Sequence, residues 1–190
     1  MLPTLAMRTL RSGDLVLEPQ VAAHADALFA VLGDPAIYAY ENVPPPSLDW
    51  LRERFARLET RTSADGTERW LNWALRLPAD TLAGYVQATV HPDGHAFIAY
   101  ILGSAHWGRG IAARAVQAMA DELAAYYGAH TLWAVYKSAN ARSERLLERL
   151  AFEPAPPAPE GRFAIEPDES IMRRAANVPP ARREPMGEAT

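Results

Sequence analysis

The sequence has no cysteine. Disulfides, a thiol nucleophile and thiolate metal sites are excluded together, and the composition suits a reducing compartment, so a cytoplasmic location is expected. Positive charge is not in surplus either. Lysine and arginine number 19 against 23 aspartates and glutamates, giving a net charge of −4, and no nucleic-acid partner is expected without a basic face. Long apolar runs are missing as well. The opening MLPTLAMRTLRSGD lacks the sustained apolar stretch of a signal peptide, and no later segment is long enough to span a bilayer, so no membrane association is expected. His91 and His95 flank a PDG turn with no third ligand nearby in sequence, and no metal site is expected.

What remains is a chain of 190 residues, 49% hydrophobic and 22% charged, the balance of a globular protein with one sizeable core. A single domain is expected over residues 1–175. Proline, arginine, glutamate and glycine dominate beyond it, so residues 176–190 are expected to form a loosely held tail.

Periodicity orders the elements. DLVLEP reads as a first strand and AAHADALFAVLG as a helix stopped by a left-handed Gly33. Ser47 is placed to cap a second helix in which Leu48, Leu51, Phe55 and Leu58 share one face. WLNWALRL, LAGYVQATV and AFIAYILG follow as strands. They are separated by PADT and by HPDGH, whose Asp-Gly marks a hairpin, so this stretch reads as an antiparallel meander. A helix with Val116, Met119, Leu123 and Tyr127 along one stripe comes next, ending at Gly128. The strand TLWAVYK then suits a parallel crossover. NARSERLLERLAF reads as a last helix with Leu146, Leu147 and Leu150 inward, EPAPPAPEGR as irregular, and ESIMRR as a closing strand.

The meander runs into HWGRGIAARAV. Two glycines before a long helix are costly unless the backbone must approach something closely. Such a turn gathers free N–H groups at the positive end of the helix, which is an anion site. GRGIAA also fits the dinucleotide pattern G-x-G-x-x-A. That motif belongs in the first strand–helix turn of a parallel sheet, with an acid ending the next strand. Here an antiparallel meander precedes it and the next strand ends in Lys137.

The element order, with two motifs on it, resembles the GCN5-related N-acetyltransferase superfamily over residues 11–174. WGRGIA aligns with that family's pyrophosphate motif, with Trp107 in the Gln/Arg position, Gly110 as the glycine and Ala112 as the small residue. Asn140 and Ser143, followed by LLERLAF, match a second signature, with Ala151 in place of a glycine. WGRG, Asn-x-x-Ser and PDESIMRR look most like the branch of the ribosomal-protein N-terminal acetyltransferases. The resemblance implies an α/β (α+β) fold: a mixed central sheet with an antiparallel N-terminal meander, a parallel pair around the coenzyme A site, and flanking helices. It also implies acetyl-CoA as co-substrate and a small-molecule amine or a peptide N-terminal amine as acceptor. The protein would act as a monomer or homodimer. Acetyl transfer would proceed by direct attack in a ternary complex.

On this resemblance the cradle for acetyl-CoA comprises Trp107, Gly108, Arg109, Gly110, Ile111, Ala112 and Ala113. Asn140 and Ser143 join it, and the strand residues Tyr100, Ile101 and Leu102 supply the backbone N–H for the oxyanion. The family's common strand glutamate is replaced by Phe97 and its last-helix tyrosine by Leu147. Ser143 is then the candidate proton donor to the departing thiolate, although a helix-cap hydroxyl would explain it equally well. Glu160 and Glu166, in the region bordering the acceptor in relatives, are the candidate bases. Tyr38, Tyr40, Trp50, Trp70 and Trp73 are candidates for the acceptor wall, though core packing accounts for each of them too. The missing glutamate and tyrosine also motivate a rival reading, a catalytically weak acyl-CoA-binding module of the same fold.

Overall fold

The computed structural model describes residues 6–40, 42–156 and 165–177. These form a mixed eight-stranded sheet in the order β1-β2-β3-β4-β5-β6-β8-β7. Its strands are β1 (Leu10–Ser12), β2 (Leu15–Pro19), β3 (Arg69–Arg76), β4 (Leu82–Val90), β5 (His95–Leu102), β6 (Thr131–Lys137), β7 (Glu153–Pro154) and β8 (Glu169–Ala175). Only β5 and β6 pair in parallel; the other neighbours are antiparallel. The helices are α1 (Ala25–Leu32), α2 (Leu48–Leu58), α3 (Ile111–Tyr126) and α4 (Ala141–Arg149).

Two layers of helix sandwich the sheet. Leu28 of α1 and Leu51 and Phe55 of α2 pack on one face against Ala74 and Leu82. On the other face, Val116, Met119 and Leu123 of α3 join Leu146 and Leu147 of α4 and Leu150 over Leu71, Trp73 and Ile98. Alternation along β5 serves both layers: Ala96, Ile98 and Leu102 look toward α3 and α4, Ile101 toward α1 and α2. As expected, the Ser47 hydroxyl caps α2 by accepting from the Trp50 N–H at 3.1 Å.

Several local expectations need correction. Gly33 is right-handed, at φ −80°. The stop is set instead by Pro35, which disfavours helical geometry at the residue before it; Asp34 is extended at ψ 111°. The first strand has a partner in β1, joined through Gly13 at φ +61°, a conformation that favours glycine. EPAPPAPEGR begins with the strand β7, which lies at the sheet edge, where proline is tolerated. Tyr127 is only half-buried and caps the C-terminus of α3, before Gly128 at φ +67°. Ala176 is still buried, and residues 178–190 of the expected tail lie outside the described residues.

The feature that positions the site is the parallel pair. β5 and β6 are in register only from His95 opposite Thr131 to Phe97 opposite Trp133, yet β5 runs on to Leu102 and β6 to Lys137. The edge of β5 beyond Phe97 therefore has no strand partner on that side, which opens a cleft in the sheet. Gly84 on β4 secures the far end of β5. A Cβ there would lie 2.0 Å from the Ile101 carbonyl oxygen, so only glycine permits this approach.

Candidate active site

The cleft between the splayed strands has a cavity volume of about 160 Å³. Its floor is the unpaired end of β5, with Tyr100, Ile101 and Leu102 among its lining residues. One wall is the turn after β5 and the start of α3. Gly108 and Gly110 lie there at φ +73° and +72°, and a Cβ on either would meet no protein atom within 4 Å. Gly110 caps α3, with no side-chain hydrogen bond and no acidic residue in the first turn. The orphan N–H groups of that turn belong to Ile111, Ala112 and Ala113, all of which line the cleft. A 16-residue helix with no side-chain cap, aimed at open space, suits an anion.

Trp107 fixes this wall. Its indole N–H donates to the Leu102 carbonyl at 2.8 Å, tying the turn to the end of β5. The Arg142 guanidinium from α4 stacks on its other resource, the ring face, 3.5 Å from the centroid. Arg109 is exposed and outside the cleft lining, with its guanidinium 3.5 Å from His106 Nδ1. His106 itself does line the cleft.

The opposite wall is the N-terminus of α4. Asn140 is the cap: its Oδ1 accepts from the Ser143 N–H at 3.1 Å. The Ser143 hydroxyl is thus not the cap, and Ser143 lines the cleft beside Asn140 and Leu146. Leu147 is buried in the core beneath, away from the lining. Phe97 looks out of the other sheet face, where it stacks with Trp133 at 6.3 Å. The positions of the family's strand glutamate and last-helix tyrosine are thus filled by core packing.

The mouth is a short 3-10 turn, Pro35–Tyr38, that periodicity could not reveal; Ala36, Ile37 and Tyr40 line the cleft. Asp34 holds it in place. Its Oδ1 accepts from the Ala36 N–H at 2.9 Å, and its Oδ2 accepts from the Ser104 N–H, beyond β5, at 3.0 Å. The Ser104 hydroxyl and these two N–H groups keep the Asp34 carboxyl below the usual carboxylate range. Of the five aromatics considered for the acceptor wall, only Tyr40 lines the cleft. Trp73 is buried in the core, donating to the Arg8 carbonyl, Tyr38 donates to the Leu32 carbonyl, Trp70 to Glu68, and Trp50 is exposed.

The ionisable side chains lining the cleft are Tyr40, Tyr100, His106, Arg142 and Arg149. Among the described residues, no carboxylate lines it. Glu166 is exposed and outside the lining, with its N–H donating to Glu169. Glu160 lies outside the described residues. Among the described residues no cluster of His, Asp and Glu could hold a metal, and no helix is long and apolar enough to cross a membrane.

The sequence profile of the acetyltransferase (GNAT) domain matches residues 14–153. No curated protein matches the chain in sequence. Among solved structures, the RimL ribosomal L7/L12 alpha-N-protein acetyltransferase in complex with coenzyme A superimposes with a TM-score of 0.74 at 16% identity, covering 88% of this chain and 98% of its own. The ribosomal-protein-S5-alanine acetyltransferase of Vibrio fischeri gives 0.74 at 15% identity, over 90% and 98%. The Salmonella typhimurium acetyl transferase that modifies the N-terminal serine of L7/L12 gives 0.69 at 16%, over 86% and 96%. At these identities the likeness is one of fold.

Proposed function

The chain belongs to the GNAT acetyltransferase family, and from that premise we propose that it transfers the acetyl group of acetyl-CoA to the α-amino group of a peptide or protein N-terminus. The glycine turn and the start of α3, which has no side-chain cap, would receive the pyrophosphate, and the unpaired edge of β5 would receive the acetyl carbonyl. Trp107, stacked with Arg142, would hold the turn in shape.

The chemistry needs little machinery. A neutral amine forms the C–N bond to the thioester carbonyl carbon, the C–S bond breaks with its electrons on sulfur, and the nitrogen gives up one proton. The observation that carries the choice of acceptor is the lack of any carboxylate lining the cleft among the described residues. With no carboxylate among the described lining residues, an acceptor that arrives neutral is favoured. An α-amine with a pKa of about 8 is neutral in roughly a tenth of molecules at pH 7, whereas a lysine at about 10.4 is neutral in roughly 0.04%. The RimL neighbour is itself an alpha-N-protein acetyltransferase, which supports the same choice.

The test is acetyl-CoA turnover on peptides that carry either a free N-terminus or a blocked N-terminus with one lysine. Turnover of the first set and not the second is expected. Preference for the lysine peptides would reject the acceptor. Coenzyme A binding with no turnover on any amine would instead favour the binding module.

A further inference from the structure

Among the described residues lining the cleft, the Tyr100 hydroxyl is the one buried side-chain group without a hydrogen-bond partner. It is sealed from solvent and makes no hydrogen bond, although a buried hydroxyl ordinarily finds a partner. The ring belongs to the β5 face that looks toward α3 and α4, and the Ser143 side chain stands close enough to favour its ionised form, without meeting Tyr100 Oη in hydrogen-bond geometry. Ser143 has the complementary position. It lines the cleft and is partly accessible, its N–H is already committed to Asn140, and its hydroxyl is a rotor. Tyr136, the neighbouring phenol on β6, faces Glu144 instead, with 3.5 Å between Tyr136 Oη and Glu144 Oε1.

We propose that Tyr100 is a positioning residue: its O–H donates to Ser143 Oγ from behind, so that the serine's own proton is directed into the cleft, toward the thiolate that leaves on acetyl transfer. This rests on the acetyl-CoA reading above. The two hydroxyls form a short donor chain in which the buried phenol strengthens the serine as a donor. Burial pushes the Tyr100 phenol up to about 12, while an alkyl thiol sits near 8.5. Proton transfer from Tyr100 to sulfur is therefore uphill by more than three powers of ten. Both hydroxyls keep their protons and only donate hydrogen bonds; the proton that finally reaches sulfur is the one given up by the amine or one from solvent. Among the described residues, the other ionisable groups around this pair are His106 from the turn, Arg142, Glu144 and Arg149 on α4, Tyr136 on β6 and Tyr40 at the mouth.

A donor aimed at a thiolate lowers the pKa of the thiol, and coenzyme A itself reports it. The probe is coenzyme A bound to the full chain, its thiol titrated by ultraviolet absorbance of the thiolate, in wild type, Tyr100→Phe, Ser143→Ala and the double variant. Calorimetry first establishes binding. Ser143→Ala is expected to raise the bound thiol's pKa by about one pH unit, the loss of a charge-assisted hydrogen bond, and Tyr100→Phe by about half that, roughly a threefold change in the equilibrium. The double variant should match Ser143→Ala alone, because the tyrosine acts only through the serine. Tyr100→Phe should remain folded with a melting temperature close to wild type, since at most one neutral hydrogen bond is lost. If coenzyme A binds and the Tyr100→Phe titration coincides with wild type, or the two substitutions add, the relay is overturned. If the wild-type protein takes up no coenzyme A, the acetyl-CoA reading fails and the relay falls with it.

Discussion

At the scale of single residues, Asn140 and Ser143 divide work that the sequence left undivided. The Asn-x-x-Ser spacing allows either side chain to cap the helix, and only the geometry assigns the cap to Asn140 Oδ1. The consequence is a pair of opposite phenotypes. Ser143→Ala should lower kcat by up to about tenfold, the effect of losing one hydrogen bond to the departing thiolate, with the melting temperature nearly unchanged. Asn140→Ala should cost about 1 kcal/mol of stability through the lost cap, which is about 2–4 °C in a domain of this size. Measuring kcat and melting temperature on both variants decides the matter. A stability loss at Ser143 with intact turnover would return that hydroxyl to a structural role.

Among the secondary elements, those with strong periodicity were readable and those without it were not. The α2 helix shows its cap and buried face in sequence because Ser47 precedes apolar residues three and four apart. The meander shows through Asp93-Gly94 and clean alternation. β1, with three residues, is too short to alternate visibly, and β7 is hidden among prolines. The same limit acts on the site. The glycine turn is legible from Gly108 and Gly110, but the mouth is a single 3-10 turn, and Arg142 and Arg149 enter the cleft only because α4 is docked beside it. Tyr100 was legible as backbone; that it lines the same cleft as Ser143 depends on how β5 and α4 pack. Gly110 tests the legible part. At φ +72° it is strained for any other residue, and a valine there would project into the space where the anion is expected. At 100 times its Kd, coenzyme A should stabilise the wild type by about 2.7 kcal/mol, a rise of roughly 5–10 °C. Gly110→Val should remain folded with a somewhat lower melting temperature and show no such rise. A folded variant with the full shift would place the pyrophosphate elsewhere.

The whole molecule is two helical layers on a sheet that parts between β5 and β6, and the cleft has walls from both layers. Its mouth, after α1, belongs to the layer of α1 and α2; the glycine turn and α4 belong to the other. Asp34 joins them, since one carboxylate accepts from Ala36 at the mouth and from Ser104 at the entry to the glycine turn. On the proposed function the mouth would face the acceptor and the turn the coenzyme, so loosening this clasp should affect the two substrates unequally. Asp34→Ala is expected to raise KM for the peptide severalfold while the coenzyme A affinity, measured by calorimetry, stays within about twofold of wild type, since misplaced positioning groups chiefly weaken orientation. Asp34→Asn should fall between, because its amide oxygen keeps one acceptor. The pH dependence has a definite sign. The Asp34 carboxyl is held below its ordinary value by the hydrogen bonds it accepts, so the clasp is complete above the ordinary carboxylate pKa and is lost only as pH falls through the depressed one. Peptide KM should therefore owe no slope to Asp34 across neutral pH. An equal loss of affinity for coenzyme A and peptide in Asp34→Ala would show that the two walls move as one body, and would remove the clasp from this account.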